Sequence, residues 1–111
     1  MDHLFVYGTL ALGCPNEQVL NNIGGTWTRA FVTGRLHDSG WGAAMGYPGL
    51  ELIDSGERIH GYLFSSPNLV KYWGELDAFE GDGYQRVLTT VELLTGDHRQ
   101  AYVYVLKHVL V

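Results

Sequence analysis

The sequence predicts an α+β protein whose mixed sheet curls into a small β-barrel with flanking helices. Three observations lead there. The segments run strand, helix, several strands, helix and a final hairpin, which is not the regular alternation of a parallel α/β sheet. The final two strand-like runs are apolar on both faces. In one, Val87, Thr89, Val91 and Leu93 align; in the other, Ala101, Val103 and Val105 alternate with Tyr102, Tyr104 and Leu106, as in a closed barrel. Finally, 111 residues at 46% hydrophobic and 17% charged suffice for the core of one domain, residues 1–111.

Each element has its own signal. His3 to Tyr7 reads as a buried, central strand because Leu4, Phe5 and Val6 form an unbroken apolar run. Gly8 to Cys14 is a loop. Pro15 to Ile23 reads as a helix, with Pro15 suited to a first turn and Glu17 favourable near the N-terminal end of the dipole. Val19, Leu20 and Ile23 supply its apolar face, and Gly24-Gly25 stops it. Thr26 to Leu36 is rich in β formers, and Gly34 within it marks a bulge or a close backbone approach. His37 to Gly40 is a turn cluster. An extended piece near Ala43 to Tyr47 leads to a bend at Pro48-Gly49, then a short strand from Leu50 to Ile53 and a turn at Asp54-Ser55-Gly56.

Glu57 to Phe64 is the next strand. Ser66 and Pro67 have the form of an N-cap and first helical residue, opening one helix through Leu69, Val70, Tyr72, Trp73 and Leu76. Gly74 inside that helix predicts something packed closely against it, because glycine costs about 1 kcal/mol there relative to alanine. Tyr84 to Leu94 and Arg99 to Leu106 form the closing antiparallel hairpin.

Composition excludes several classes. The net charge is −5, and the seven Lys and Arg are scattered singly, so no basic patch for nucleic acid forms in sequence. Cys14 is the one cysteine, which rules out an internal disulfide and a cysteine-based zinc site. The five His have no ligand-like spacing, and Ser39 and Ser55 lack a nucleophile elbow. No metal or cofactor is expected. Met1-Asp2-His3 is no signal sequence, and no apolar run approaches the ~18 residues of a membrane span. The expectation is a cytoplasmic protein with no membrane partner, a monomer or a weak homodimer.

Two stretches could carry chemistry. Tyr7-Gly8-Thr9-Leu10 follows the first strand, and a glycine-containing turn there can aim N–H groups at one anion; a plain tight turn is the alternative. Asp77 and Glu80 lie three apart at the end of the second helix. Glu80 stands between Phe79 and Gly81. A carboxylate desolvated beside a ring holds its proton more tightly, as a general base working near neutrality requires; the alternative is a solvated helix-end acid. Tyr84 and Arg86 open the next strand on one shared face. If that face looks into a cavity, Tyr84 brings its hydroxyl to a substrate and Arg86 pairs with Asp77; otherwise both pack outside the barrel. The inward reading is favoured for Tyr84.

Phe5-Val6-Tyr7-Gly8-Thr9-Leu10 with Gly13, Gly46-Tyr47-Pro48-Gly49, Gly61-Tyr62-Leu63-Phe64, Leu76-Asp77-Ala78-Phe79-Glu80-Gly81 and Tyr84-Gln85-Arg86, in this order, resemble the gamma-glutamylcyclotransferase-like family over nearly the whole chain. The resemblance implies a mixed β-barrel with flanking helices and a cavity at one mouth. It implies that Tyr7, Gly8, Thr9 and Leu10 hold the α-amino and α-carboxyl end of a γ-glutamyl small molecule. The resemblance makes Glu80 the acid/base; beside it, the expected binding residues include Gly49 and Tyr84, with Asp77 and Arg86 in support from their spacing. The reaction implied is ring closure to 5-oxoproline with release of an amine. A binding protein that keeps the pocket without turnover, or a structural barrel working through partners, remains open on sequence alone.

Overall fold

The structure is a computed structural model that describes residues 2–8, 10–14, 16–37 and 49–107. Thr9, Pro15, Ser39, the expected turn over 38–40, the extended piece over 43–47, the bend at Pro48 and the apolar end over 109–111 lie outside those residues.

The described elements are β1 (Asp2–Val6), α1 (Glu17–Ile23), β2 (Thr26–His37), β3 (Gly49–Leu52), β4 (Glu57–Ser66), a 3-10 turn (Leu69–Lys71), α2 (Trp73–Glu80), β5 (Tyr84–Leu93) and β6 (His98–Leu106). The sheet order is β3-β2-β4-β1-β6-β5, and β2 also pairs with β5. That last pairing closes β2, β4, β1, β6 and β5 into a five-stranded barrel, with β3 attached to β2 as a flap. The barrel is mixed: β1 runs parallel to β6, with Leu4 beside Tyr102 and Phe5 beside Val103, and antiparallel to β4.

Period-two alternation sorts the side chains into two cores. Phe5, Ala30, Val32, Ile59, Leu63, Val91, Ala101, Val103 and Val105 fill the barrel. Leu4, Val6, Phe64 and Tyr104 point the other way and pack with Leu20, Ile23, Leu69 and Leu76 from the helical segments. Strands buried on both faces explain why β1 reads as a continuous apolar run. Gly34 does mark a close approach, since a Cβ there would meet the Glu51 carbonyl.

The expected single helix after Pro67 is broken. Ser66 is instead the buried last residue of β4. Its hydroxyl donates to the Gly24 carbonyl (2.5 Å) and accepts the Asn68 N–H (3.1 Å), while the Asn68 amide donates to the Ile23 carbonyl (3.1 Å). The serine thus works with Asn68 on the carbonyls at the end of α1, and the chain makes a 3-10 turn before α2 starts. The close packing expected at Gly74 is also absent, for a Cβ there would meet nothing within 4 Å.

Candidate active site

The site is assembled where α2 meets the ends of β1, β5 and β6. Trp73, Asp77 and Glu80 fall four and three residues apart, so they share one stripe of α2. Each of the first two is tied to a strand. The Trp73 indole N–H donates to Asp2 (3.0 Å), and its ring lies 5.0 Å from that of Tyr102. Asp77 receives a fork from Arg86, Nε to Oδ1 at 2.9 Å and Nη2 to Oδ2 at 3.3 Å. Its Oδ1 also accepts the Tyr104 hydroxyl at 2.6 Å. Arg86 lies 4.4 Å over the Trp73 ring and 5.0 Å over that of Tyr102, a stacked position that suits a planar guanidinium.

Glu80 closes the helix. Gly81 follows at φ 84, donating its N–H to the Asp77 carbonyl; that left-handed conformation favours glycine at a helix end. The two acids of this turn have opposite environments. Arg86's fork, with the Tyr104 hydroxyl, holds Asp77 below the usual carboxylate range. Burial pushes Glu80 up from 4.5 to about 7. Two titratable groups driven apart by their surroundings divide into a fixed charge and a proton carrier.

The first loop reaches the same place. Tyr7 follows β1, with its ring stacked on Phe5 at a centroid distance of 6.3 Å. Its hydroxyl donates to the Tyr104 carbonyl (2.7 Å) and accepts the Leu50 N–H (3.0 Å). Burial raises the pKa of that hydroxyl, and the nearby Tyr84 and Glu80 raise it further. Tyr104 is likewise raised, first by burial and then by Asp77, with Glu80 contributing. Tyr7 thus lies within electrostatic reach of Tyr84 and Glu80, and Tyr104 within reach of Glu80. Beyond Tyr7, Ala11 N–H bonds the Gly8 carbonyl and Cys14 N–H the Ala11 carbonyl, both at 3.0 Å. Glu17 accepts the Gly13 N–H (2.8 Å) and fixes the loop to α1.

The positions singled out in sequence are brought together unevenly. Tyr7 lies within electrostatic reach of both Glu80 and Tyr84. Leu10 is buried in the helix-side core, so its side chain anchors the loop. Gly8 shows no backbone reason for glycine among the described residues: its φ is not positive, and a Cβ would meet none of them within 4 Å. Gly49 begins β3, where a Cβ would meet the Leu106 side chain at 2.5 Å; its visible role is close packing. Tyr84 and Arg86 share a face, but it is the helix-side face, with Tyr84 packed in the outer core. The barrel interior is filled by Val87, Val91 and their neighbours, and Tyr84 packs on the side that carries α2 and Leu10.

Tyr104 is not singled out by its sequence. The alternation of β6 marks it as a face residue, but its partner Asp77 is 27 positions away and only the fold joins them. Glu75 turns away from this site and lines a cleft of about 350 Å³ with Val19, Asn22, Ile23, Tyr72, Leu76 and Phe79. Among the described residues no three His, Cys, Asp or Glu gather as metal ligands, and no helix is long and apolar enough to cross a membrane.

The chain is similar to solved structures over almost its whole length. An AIG2-like protein from Mus musculus is 28% identical with a TM-score of 0.72, the match covering 99% of this chain and 80% of that one. YkqA from Bacillus subtilis is 27% identical with a TM-score of 0.71, covering 99% of this chain and 37% of that one. A protein from Arabidopsis thaliana, 21% identical with a TM-score of 0.71, shares the fold over 95% of this chain and 61% of its own. No curated protein matches the chain. Residues 4–110 match the sequence pattern described as gamma-glutamyl cyclotransferase, AIG2-like. The chain therefore belongs to the AIG2-like gamma-glutamyl cyclotransferase family, and its general type of function is that of a cyclotransferase.

Proposed function

We propose that this protein converts a γ-glutamyl compound into 5-oxoproline and a free amine, with Glu80 as the general acid/base. The observation that carries the reading is the Glu80 carboxyl, pushed to about 7 by burial and within electrostatic reach of Tyr7 and Tyr104. An α-ammonium group has no lone pair and cannot attack a carbonyl. Glu80 takes a proton from it, and the freed amine adds to the γ-carbonyl carbon of the same molecule. The tetrahedral intermediate then collapses: Glu80 returns its proton to the leaving nitrogen as the bond from that carbon to it breaks, and the ring nitrogen gives up its second proton, which the released amine takes up as an ammonium. The ring keeps the new C–N bond. A base near 7 is better matched to both transfers than an ordinary carboxylate.

Ring closure is intramolecular, so orientation carries much of the acceleration. In this reading the Tyr7–Leu10 loop fixes the α-carboxylate through backbone N–H groups. Asp77, Arg86 and Tyr104 hold α2 so that Glu80 faces the amine. Tyr84 walls the mouth.

The test is release of 5-oxoproline from a panel of γ-glutamyl amines and γ-glutamyl amino acids. Glu80→Gln keeps the shape and removes the proton acceptor, and a fall of about 10²- to 10⁴-fold in kcat is expected. The pH profile carries a second signature. The base must be ionised, so kcat/KM of the parent rises with pH through about 7, and Glu80→Gln lacks that limb. The stability effect has the opposite sign. A carboxyl raised by folding binds its proton more tightly when folded, so it weakens the fold progressively as pH climbs from about 4.5 to about 7. No 5-oxoproline from any panel member, with ligand-induced thermal stabilisation intact, would assign the pocket to binding without turnover.

A further inference from the structure

We propose that Tyr104 is the positioning residue that sets the distance between the Glu80 helix and the Tyr7 loop, an inference that rests on the function proposed above. One residue of β6 binds both parts of the site. Its carbonyl accepts the Tyr7 hydroxyl (2.7 Å), and its own hydroxyl donates to Asp77 (2.6 Å), one turn before Glu80 on α2. The Tyr7 hydroxyl extends the chain of bonds to β3 by accepting the Leu50 N–H. A single point of the barrel wall thus gauges the loop, the flap strand and the catalytic helix.

The residue is built for that task. Tyr104 is 4% exposed, and its strand lies between β1 and β5, so its backbone cannot shift without disturbing two ladders. Arg86 is its direct cross-strand partner and grips the same carboxylate, yet the Arg86 side chain is 25% exposed and that of Asp77 46%. The guanidinium grip is therefore open to solvent and weakened by it. The tyrosine bond is the anchored arm and Arg86 the exposed one. Among the described residues, Tyr7 from the loop after β1 and Tyr104 from β6 lie within electrostatic reach of Glu80, and Asp77, with Arg86 bound to it, sits one turn earlier on the same helix.

Tyr104→Phe removes the hydroxyl and keeps the ring. Two readouts are taken: steady-state release of 5-oxoproline, and the Glu80 carboxyl titration followed by carbon-13 NMR. A loosened helix end exposes Glu80, so the titration midpoint is expected to fall from about 7 toward 4.5. kcat should fall about 10- to 100-fold, the cost of a small misplacement, with KM within about twofold of the parent because the loop contacts remain. A parental midpoint together with a parental kcat overturns the proposal. Arg86→Gln cuts the exposed arm alone; a loss of kcat as large as in Tyr104→Phe would make Arg86 the anchor and equally overturn it. Asp77→Ala cuts the link from its half-exposed end, so an unchanged midpoint there defeats the proposal even if Tyr104→Phe does not fold. The midpoint does not depend on turnover. If the parent cyclises nothing, the proposed function fails while the positioning role is still decided by NMR.

Discussion

At the scale of single residues, Gly8 sits in the loop after β1 with no described atom within 4 Å of its Cβ position. Its place in the sequence suggests a backbone reason: a turn with no room for a Cβ. The structure removes that reason, because φ is not positive and the Cβ position is open to 4 Å. Among the described residues the Cβ position is empty, and under the proposed function that space is where the substrate would lie. Gly8→Ala is expected to leave the melting temperature within about 2 °C of the parent, as surface changes usually do, while raising KM severalfold. A melting temperature lowered by several degrees with KM unchanged would restore the conformational explanation. The flanking ring and helix-ending glycine leave Glu80 open between a desolvated acid and a solvated helix-end one, and its burial in the fold favours the first. Tyr104 is not legible in the sequence. Its importance comes from a hydroxyl bond across the fold and a carbonyl bond to Tyr7, and neither leaves a trace in local spacing.

At the scale of elements, strand periodicities are more faithful guides than the pattern of the second helix. The edges of β2, β4, β5 and β6 fall within two residues of their apolar patterns. The apolar spacing from Leu69 to Leu76 fits one helix equally well, and propensity alone cannot see that Ser66 and Asn68 are engaged by the carbonyls of Gly24 and Ile23. Tertiary bonding fixes the chain before the helix can start, and the tight turn follows. α2 also carries a correctable weakness. Gly74 is exposed, helical and free of neighbours at its Cβ position, so Gly74→Ala gains helix propensity with no steric penalty. The expected gain is about 0.5–1 kcal/mol, or roughly 2–6 °C in melting temperature. Calorimetry of the two proteins checks it, and a lower melting temperature would show that the glycine serves a contact the static packing does not reveal.

At the scale of the molecule, the alternating faces of the last hairpin announce a closed sheet, but not which strands close it. β2 has 12 residues and pairs with β3, β4 and β5, and sequence order gives no hint of its pairing with β5. Closure also explains two glycines of the family-like motifs. Gly61 lies in β4 opposite Ala30, and a Cβ there would meet the Val6 carbonyl and the Phe5 ring. The carbonyl belongs to the β1 backbone and cannot rotate away. Gly61→Ala must therefore push β4 from β1, the pair that leads directly into Tyr7, and about 1–3 kcal/mol of destabilisation is expected from such overpacking. At Gly49 the obstacle is the Leu106 side chain, its Cγ at 2.6 Å as well as its methyls, and a side chain can shift where backbone cannot. Gly49→Ala should cost less, about 1 kcal/mol, and should disturb only the β3 flap. Urea denaturation of the two variants orders the costs. Because the Gly61 clash is transmitted along β1 to the Tyr7 hydroxyl bonds, Gly61→Ala should also lower kcat at temperatures where it is fully folded, whereas Gly49→Ala should change activity much less. Equal midpoints for the two variants would mean that β1 and β4 yield as readily as a leucine rotamer, and that the barrel wall is not the rigid frame the site depends on.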